Sequence, residues 1–368
     1  MLKLSNIYKH RKPHKIGESG GMHQVAQPKI EGFESLFKSF LQTGRRSLSL
    51  AHGAHSGDLQ AEDLAQNDWP LQLVEQVKDR VVSAIRIPLE DAVERQVVAI
   101  DTSSIIVAAG RSGVAVGVRG SIAVRNELGL EVQRIGPFIA YLTHENLPEI
   151  LGSILGEFTP LEFSDYRLDG SIQKILAGLL EKRIQEYVVR RFRDSIILLD
   201  GSLSAGPLDN PLWLVSRILD EARPGGNDVL AFSKTSILQF WASVFTEDRL
   251  GVEPPYLVDM TWLIEEIEMK VKVLGRTYLA RLGSGLNIFR VDASTSRRVE
   301  EVFGSLLRSD PLIYGYPELL ILAHDYCTFT RSDVIAIQSI LRRFGAEFFK
   351  ASSIRDILFN PLDGEWRR

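Results

Sequence analysis

Val97-Val98-Ala99-Ile100-Asp101-Thr102-Ser103-Ser104 and Ile196-Ile197-Leu198-Leu199-Asp200-Gly201-Ser202-Leu203 share one texture. In each, four apolar residues in a row meet an aspartate and then small residues. A short continuous apolar run marks a strand buried on both faces, as inside an α/β sheet. The two runs are separated by a stretch of different period. Between Ser171 and Phe192, residues Ile172, Ile175, Leu176, Leu179, Leu180, Ile184, Tyr187 and Val188 recur at helical spacing with charges between them. A long helix feeding a wholly apolar strand is the crossover that gives parallel pairing.

Working outward, residues 105–109, 114–118, 121–124 and 130–142 are β-rich and are joined by Gly110-Arg111-Ser112-Gly113 and by 126–129. Glycine turns between such runs predict an antiparallel meander. Its first strand is read as pausing in a turn at 101–104. Downstream, 229–232 is a further apolar strand that ends at Ser233-Lys234-Thr235-Ser236, and 279–282 with 286–291 predict a hairpin around Gly283-Ser284-Gly285. Helical patterns occupy 297–308, 317–325 and 332–343. Three antiparallel strands, helix, strand, helix, strand, helix is the succession of a ribonuclease H-like α/β core: a mixed sheet, antiparallel meander plus parallel strands, flanked by helices. It carries additions at both ends. The expected divisions are a basic segment at 1–60, a helical addition at 61–94, the core at 95–330 and a helical extension at 331–368. The helix of the second division is predicted from Leu64, Leu71, Val74, Val77, Val81 and Ile85 to end before Pro88.

The chain has 368 residues, 45% hydrophobic and 24% charged, which excludes fibrous and wholly disordered classes. Its formal charge of −4 hides an asymmetry: residues 1–50 carry +6 and the remainder −10. The absence of a long apolar run predicts no membrane span and no signal peptide, hence a cytoplasmic protein. A single cysteine, Cys327, excludes a disulfide framework and a cysteine-based zinc site. Five of the seven histidines lie in the first sixty residues, with His10/His14 and His52/His55 at metal-compatible spacings. Without a cysteine, and with Gly and Pro between them, they read as part of a polar arm, whose Lys9, Arg11, Lys12 and Lys15 suit a DNA strand or a partner.

The chemistry starts from the two aspartates. If their strands are parallel neighbours, Asp101 and Asp200 stand side by side, and two such anions repel unless a cation lies between them or one is protonated. Oxygen donors call for a hard ion, Mg²⁺ or Mn²⁺ rather than zinc. The plain reading of either aspartate alone is a strand-end turn bonding its own backbone. A third carboxylate is expected from the intervening helix, where Glu181 and Glu186 both fall at the margin of the apolar stripe and periodicity does not choose. In Tyr314-Gly315-Tyr316-Pro317-Glu318-Leu319-Leu320-Ile321-Leu322-Ala323-His324-Asp325, Pro317 opens a helix. His324, flanked by apolar residues, is expected to be partly buried, as a metal ligand, general acid or phosphate donor. Phe289, Tyr256 and Trp262 are candidates for stacking on bases, with a core role as the plain alternative.

Ile100-Asp101-Thr102-Ser103-Ser104, Asp200-Gly201-Ser202-Leu203, Lys234-Thr235-Ser236 and Tyr316-Pro317 with Ala323-His324 fall in the order seen in the NurA nucleases, which the chain resembles over residues 95–327. The resemblance implies a ribonuclease H-like, dimeric, Mn²⁺- (or Mg²⁺-) dependent nuclease. Such an enzyme cuts single-stranded DNA and resects duplex ends 5′ to 3′ beneath a hexameric HerA translocase, in recombinational repair or phage defence. It implies Asp101, Glu181, Asp200 and His324 as metal ligands, Tyr316 and His324 as completing the catalytic set, and Lys234 and Ser202 as substrate contacts. Glu181 is preferred because it follows a leucine. The chain departs from the family where Asp-Gly-Ser becomes Asp101-Thr102-Ser103: Thr102 is expected to crowd the turn and lower activity. Two other readings compete. A sugar-kinase or actin-like phosphotransferase shares the strand order but needs ATP and a duplicated domain. A degenerate nuclease fold would serve a translocase only as a structural partner.

Overall fold

The computed structural model describes residues 83–109, 113–155, 171–205, 210–233, 250–266, 272–285 and 287–343. The basic segment at 1–60, the predicted helix up to residue 82, Lys234 and residues 344–368 lie outside them.

In chain order the strands are β1 (Ala84–Arg86), β2 (Val97–Ala109), β3 (Gly113–Asn126) and β4 (Gly129–Thr143). Helices α1 (Leu147–Leu155) and α2 (Ser171–Arg191) follow, then β5 (Ile196–Asp200), β6 (Ser204–Ala205), α3 (Leu212–Ala222) and β7 (Asp228–Ser233). The second half holds β8 (Tyr256–Asp259), α4 (Thr261–Glu266), β9 (Lys272–Val273), β10 (Arg276–Arg281), β11 (Phe289–Ser294) and α5 (Val299–Ser309). It ends with β12 (Leu312–Ile313), β13 (Tyr316–Pro317), α6 (Glu318–Cys327) and α7 (Arg331–Arg343).

Nine strands form one sheet in the order β1-β8-β10-β11-β7-β5-β2-β3-β4. β2, β3 and β4 are the antiparallel meander, and β5 and β7 join β2 in parallel. That inner set of five is the ribonuclease H-like arrangement expected from the order of apolar runs. Beyond β7 the sheet continues antiparallel through β11, β10, β8 and β1.

Alternation along the central strands sorts side chains to two cores. Val98, Ile100, Ile197, Leu199, Val229 and Ala231 pack under α1, α2 and α3. Val97, Ala99, Ile196, Leu198, Leu230 and Phe232 pack under α5 and α6. Both faces of β5 are therefore dry, which explains its unbroken Ile-Ile-Leu-Leu. Each such side chain contributes roughly 1.5–3 kcal/mol of burial. Where β2 outruns β5, a smaller core closes the gap: Val107, Ala108, Ala115, Tyr141 and Phe329 meet Ile337 and Leu341 of α7, and Gln338 Nε2 donates to Val107 O at 2.8 Å.

Two sequence expectations fail. Residues 101–104 are not a turn; β2 runs through them, because β3 pairs with it rung by rung from Val97 to Ile106, before the register shifts ahead of Ala108. The helical pattern predicted up to Ile87 ends instead in a strand, β1, paired antiparallel with β8. β-Branched Ile85 and Ile87 before Pro88 favour extended backbone, and a sheet edge was there to take them.

The loop that follows β5 is held from the far half of the sheet. Asp292 of β11, fully buried, accepts the Leu203 N–H at 2.9 Å, the Thr277 hydroxyl at 2.9 Å, and two bonds from Arg290 at 2.9 Å each. Removing one partner of a buried pair strands the other. Asp292→Ala is expected to lower the unfolding free energy by about 3–5 kcal/mol, read as a fall in the urea midpoint at unchanged slope.

Candidate active site

The parallel ladder of β2 and β5 runs from Val97↔Ile196 to Ile100↔Leu199, and Asp101 and Asp200 each follow its last rung by one residue. Both share the parity of Val97 and Ala99, the face covered by α6. Asp200 ends β5 as expected. Asp101 does not end its strand; it marks where β5 stops and β2 continues with β3 alone. After Asp200 the chain reverses at Gly201, whose φ of +117° suits a residue without Cβ. Gly201 N–H donates to Phe232 O and its carbonyl accepts the Ser233 hydroxyl, both at 2.7 Å. Ser202 donates to the Ser204 hydroxyl at 2.8 Å.

Asp101 is 6% exposed. Its Oδ1 accepts the Thr102 N–H at 2.7 Å, and its Oδ2 lies 2.7 Å from Nδ1 of His324. A protonated Nδ1 donates to that carboxylate, which sets the tautomer of the ring. Tyr316 O–H donates to Asp200 Oδ1 at 3.3 Å. Burial first, then the charges of Asp200 and Asp101, drive the Tyr316 phenol far above its usual range, so it stays a donor. Its ring is wedged against Phe232 and Phe289.

Helix α6 brings His324 to Asp101, and the sheet holds the helix. Leu319, Leu320, Ala323 and Cys327 make its buried face. Ser121 of β3 donates to Ala323 O and Ser103 of β2 donates to Cys327 O, each at 2.5 Å. At the other end, Asp310 Oδ2 accepts the Leu319 N–H at 3.1 Å, while Arg125 reaches Asp310 at 3.0 Å and Glu318 at 2.8 Å. His324 borders the buried face rather than lying in it, with half of its side chain exposed.

The two glutamates of α2 separate cleanly by partner. Glu186 is tied to Arg183, Arg190 and Arg217 at 2.7–2.9 Å, an ion-pair cluster between α2 and α3. Glu181 instead accepts from Gln185 at 2.6 Å and from the Thr102 hydroxyl at 3.4 Å. Its pKa is raised by burial and further by the charges of Asp101 and Asp200, against the opposing pull of Lys182. Thr102, expected to crowd a turn, lies in β2 and also donates to Ala177 O at 3.2 Å, tying the sheet to α2.

Cys327 is the residue that sequence reasoning set aside. Its sulfur, a ring nitrogen of His324 and a carboxylate oxygen of Asp101 lie within 4.8 Å of one another, a group that Asp200 and Glu181 do not join. The signal was present in the spacing His324-x-x-Cys327, which puts both on one side of a helix. Burial, then the neighbouring Asp101, pushes the thiol pKa up, so the sulfur is a neutral thiol and donates to His324 O at 3.3 Å. Of the stacking candidates, Tyr256 is buried in the core, Trp262 is half-buried and bonds Asp259 O, and Phe289 backs Tyr316. No described helix is long and apolar enough to cross a membrane.

No family model matches the chain, and no curated protein matches its sequence. Among solved structures, the chain is similar to the NurA nuclease from Sulfolobus solfataricus, at 16% identity over 77% of this chain and 94% of that one, with a TM-score of 0.46. A second NurA structure is similar at 10% identity over 78% and 95%, with a TM-score of 0.43. Endonuclease V of Ciona intestinalis, solved with DNA containing an inosine, is similar at 12% identity over 73% and 97%, with a TM-score of 0.36.

The anchor of α6 titrates. Burial raises the Asp310 carboxyl from 3.8 to about 6, against the pull of the Leu319 N–H and Arg125. Below pH 3.8 it is protonated in the folded and unfolded chain alike. Between there and about pH 6 only the unfolded chain ionises, so stability falls as pH rises, by about 3 kcal/mol in full. Urea titrations from pH 4 to 7 should show the stability advantage of the native protein over Asp310→Asn shrinking across that window. A constant difference would refute the assignment.

Proposed function

We propose that the chain is a metal-dependent nuclease that hydrolyses phosphodiesters of DNA. The observation that carries the reading is the placement of Asp101 and Asp200 one residue past the last rung of the β2–β5 ladder, each held by its own donor from a third segment, His324 and Tyr316. Glu181 adds a third carboxylate, its pKa raised by burial first and further by the charges of Asp101 and Asp200. Three carboxylates are the hard oxygen donors that Mn²⁺ and Mg²⁺ accept. Asp101, Asp200 and Glu181 would hold the ion, which supplies Lewis acidity toward the phosphate and its attacking water, and His324 is kept for proton transfer.

The side chains supply the rest. The half-exposed His324 is placed to give a proton to the leaving 3′-oxygen, with Asp101 stabilising the imidazolium that precedes the transfer. Tyr316 aims Asp200 through its hydroxyl. Ser202 is assigned to the substrate phosphates together with Lys234, which lies outside the described residues. The ordered motifs shared with NurA nucleases support the finer assignments: single-stranded DNA and duplex ends as substrates, 5′ to 3′ resection, a homodimer, a HerA-type hexameric ATPase as partner, and a cytoplasmic place of work in DNA repair or phage defence. The phosphotransferase reading needs a duplicated domain, and the described residues form one nine-stranded sheet.

The test is cleavage of an end-labelled single-stranded oligonucleotide with MnCl₂ or with EDTA. The native protein should cut only with the ion. Asp200→Ala should abolish cutting with thermal unfolding preserved, and His324→Ala should slow it roughly 10²- to 10⁴-fold. Cutting in EDTA, or undiminished cutting by a clean Asp200→Ala preparation, would overturn the reading and leave the degenerate-partner alternative or another activity.

A further inference from the structure

β12 and β13 form a hairpin in which Ile313 pairs with Tyr316, leaving Tyr314-Gly315 as a two-residue turn. Both turn residues have positive φ, 53° and 82°, the signature of a primed turn whose first position favours Asn, Asp or Gly. A bulky aromatic there is an outlier. The fold gains nothing visible in return, because Tyr314 is 83% exposed. The turn is nonetheless fixed: Asn287 Nδ2 donates to Tyr314 O at 2.9 Å, and Gly315 lies against the Phe289 ring, which in turn packs on Tyr316. Tyr316 is the residue whose hydroxyl holds Asp200, and two residues of chain span at most about 7 Å. The hairpin therefore presents a solvated aromatic two residues before the one whose hydroxyl holds Asp200.

Strained conformations persist where the surroundings impose them, and they cluster at functional sites. The ligand that fits is flat, aromatic and tolerant of sequence. A phosphate calls for a cation, and the fixed groups around this centre are carboxylates. We propose that Tyr314 is a positioning residue that stacks on an unpaired nucleobase next to the scissile phosphate. This deepens the nuclease reading and rests on it: single strands offer a free base face, whereas a paired base is already stacked by its neighbours.

The experiment measures anisotropy of a fluorescent oligothymidine on the full chain in Ca²⁺, followed by cleavage kinetics in Mn²⁺. Tyr314→Ala should weaken binding and raise KM roughly 5- to 150-fold with kcat little changed, the range expected for one stacked base. Tyr314→Trp and Tyr314→Phe should retain affinity. An abasic residue moved along the oligonucleotide should weaken the native protein at one position and leave Tyr314→Ala indifferent there. Tyr314→Gly should unfold at an equal or higher temperature, whereas a structural role would lower it. Unchanged affinity of Tyr314→Ala, the same abasic sensitivity in both proteins, or no binding of the oligonucleotide at all would overturn the proposal. Binding that obeys the pattern without Mn²⁺-dependent cutting would uphold the stacking site and overturn the nuclease reading instead.

Discussion

Two carboxylates just past the end of a parallel ladder repel each other, and the surrounding architecture answers that repulsion. Within β2 the Thr102 N–H donates to Asp101, but the residues before both aspartates are apolar. The answer comes from a segment more than a hundred residues later in the chain, where β13 delivers a phenol to Asp200 and α6 delivers an imidazole to Asp101. The fold is the device that closes this distance. Its second core seats α6 on the sheet, and hydroxyls of Ser103 and Ser121 fasten the helix to the same strands that carry or flank Asp101. Each such bond nets only about 1 kcal/mol, but together they fix the position of the helix as well as its presence.

The part of this legible in the sequence was the part written in period. Unbroken apolar runs gave β5 and β7, the 3.6-residue stripe gave α2, and glycine turns gave the meander. Their order gave the sheet. The aspartates stood out as a pair, at the same place on two such runs.

What stayed hidden was decided by pairing and by partners. Residues 101–104 have the composition of a turn, yet β3 supplies a rung for each of them, and pairing outweighs local preference. Glu181 and Glu186 occupy equivalent margins of one stripe and differ only in what faces them: Thr102 and the aspartates in one case, three arginines in the other. Cys327 was weighed as a count of one, when its meaning lies in being one helical turn from His324. Ile85 continued a helical spacing by coincidence and found β8 instead.

The unequal lengths of β2 and β5 have a bearing on where the chain can be shortened. The overhanging half of β2 gets no cover from β5 and gets it from α7, whose Ile337 and Leu341 close over Val107, Ala108, Tyr141 and Phe329. Asp333 of the same helix grips Arg119, which lies over the Phe329 ring. Truncation before Arg331 would therefore bare a greasy flank on the strand that bears Asp101. The product would be a sticky fragment in place of a minimal catalytic unit.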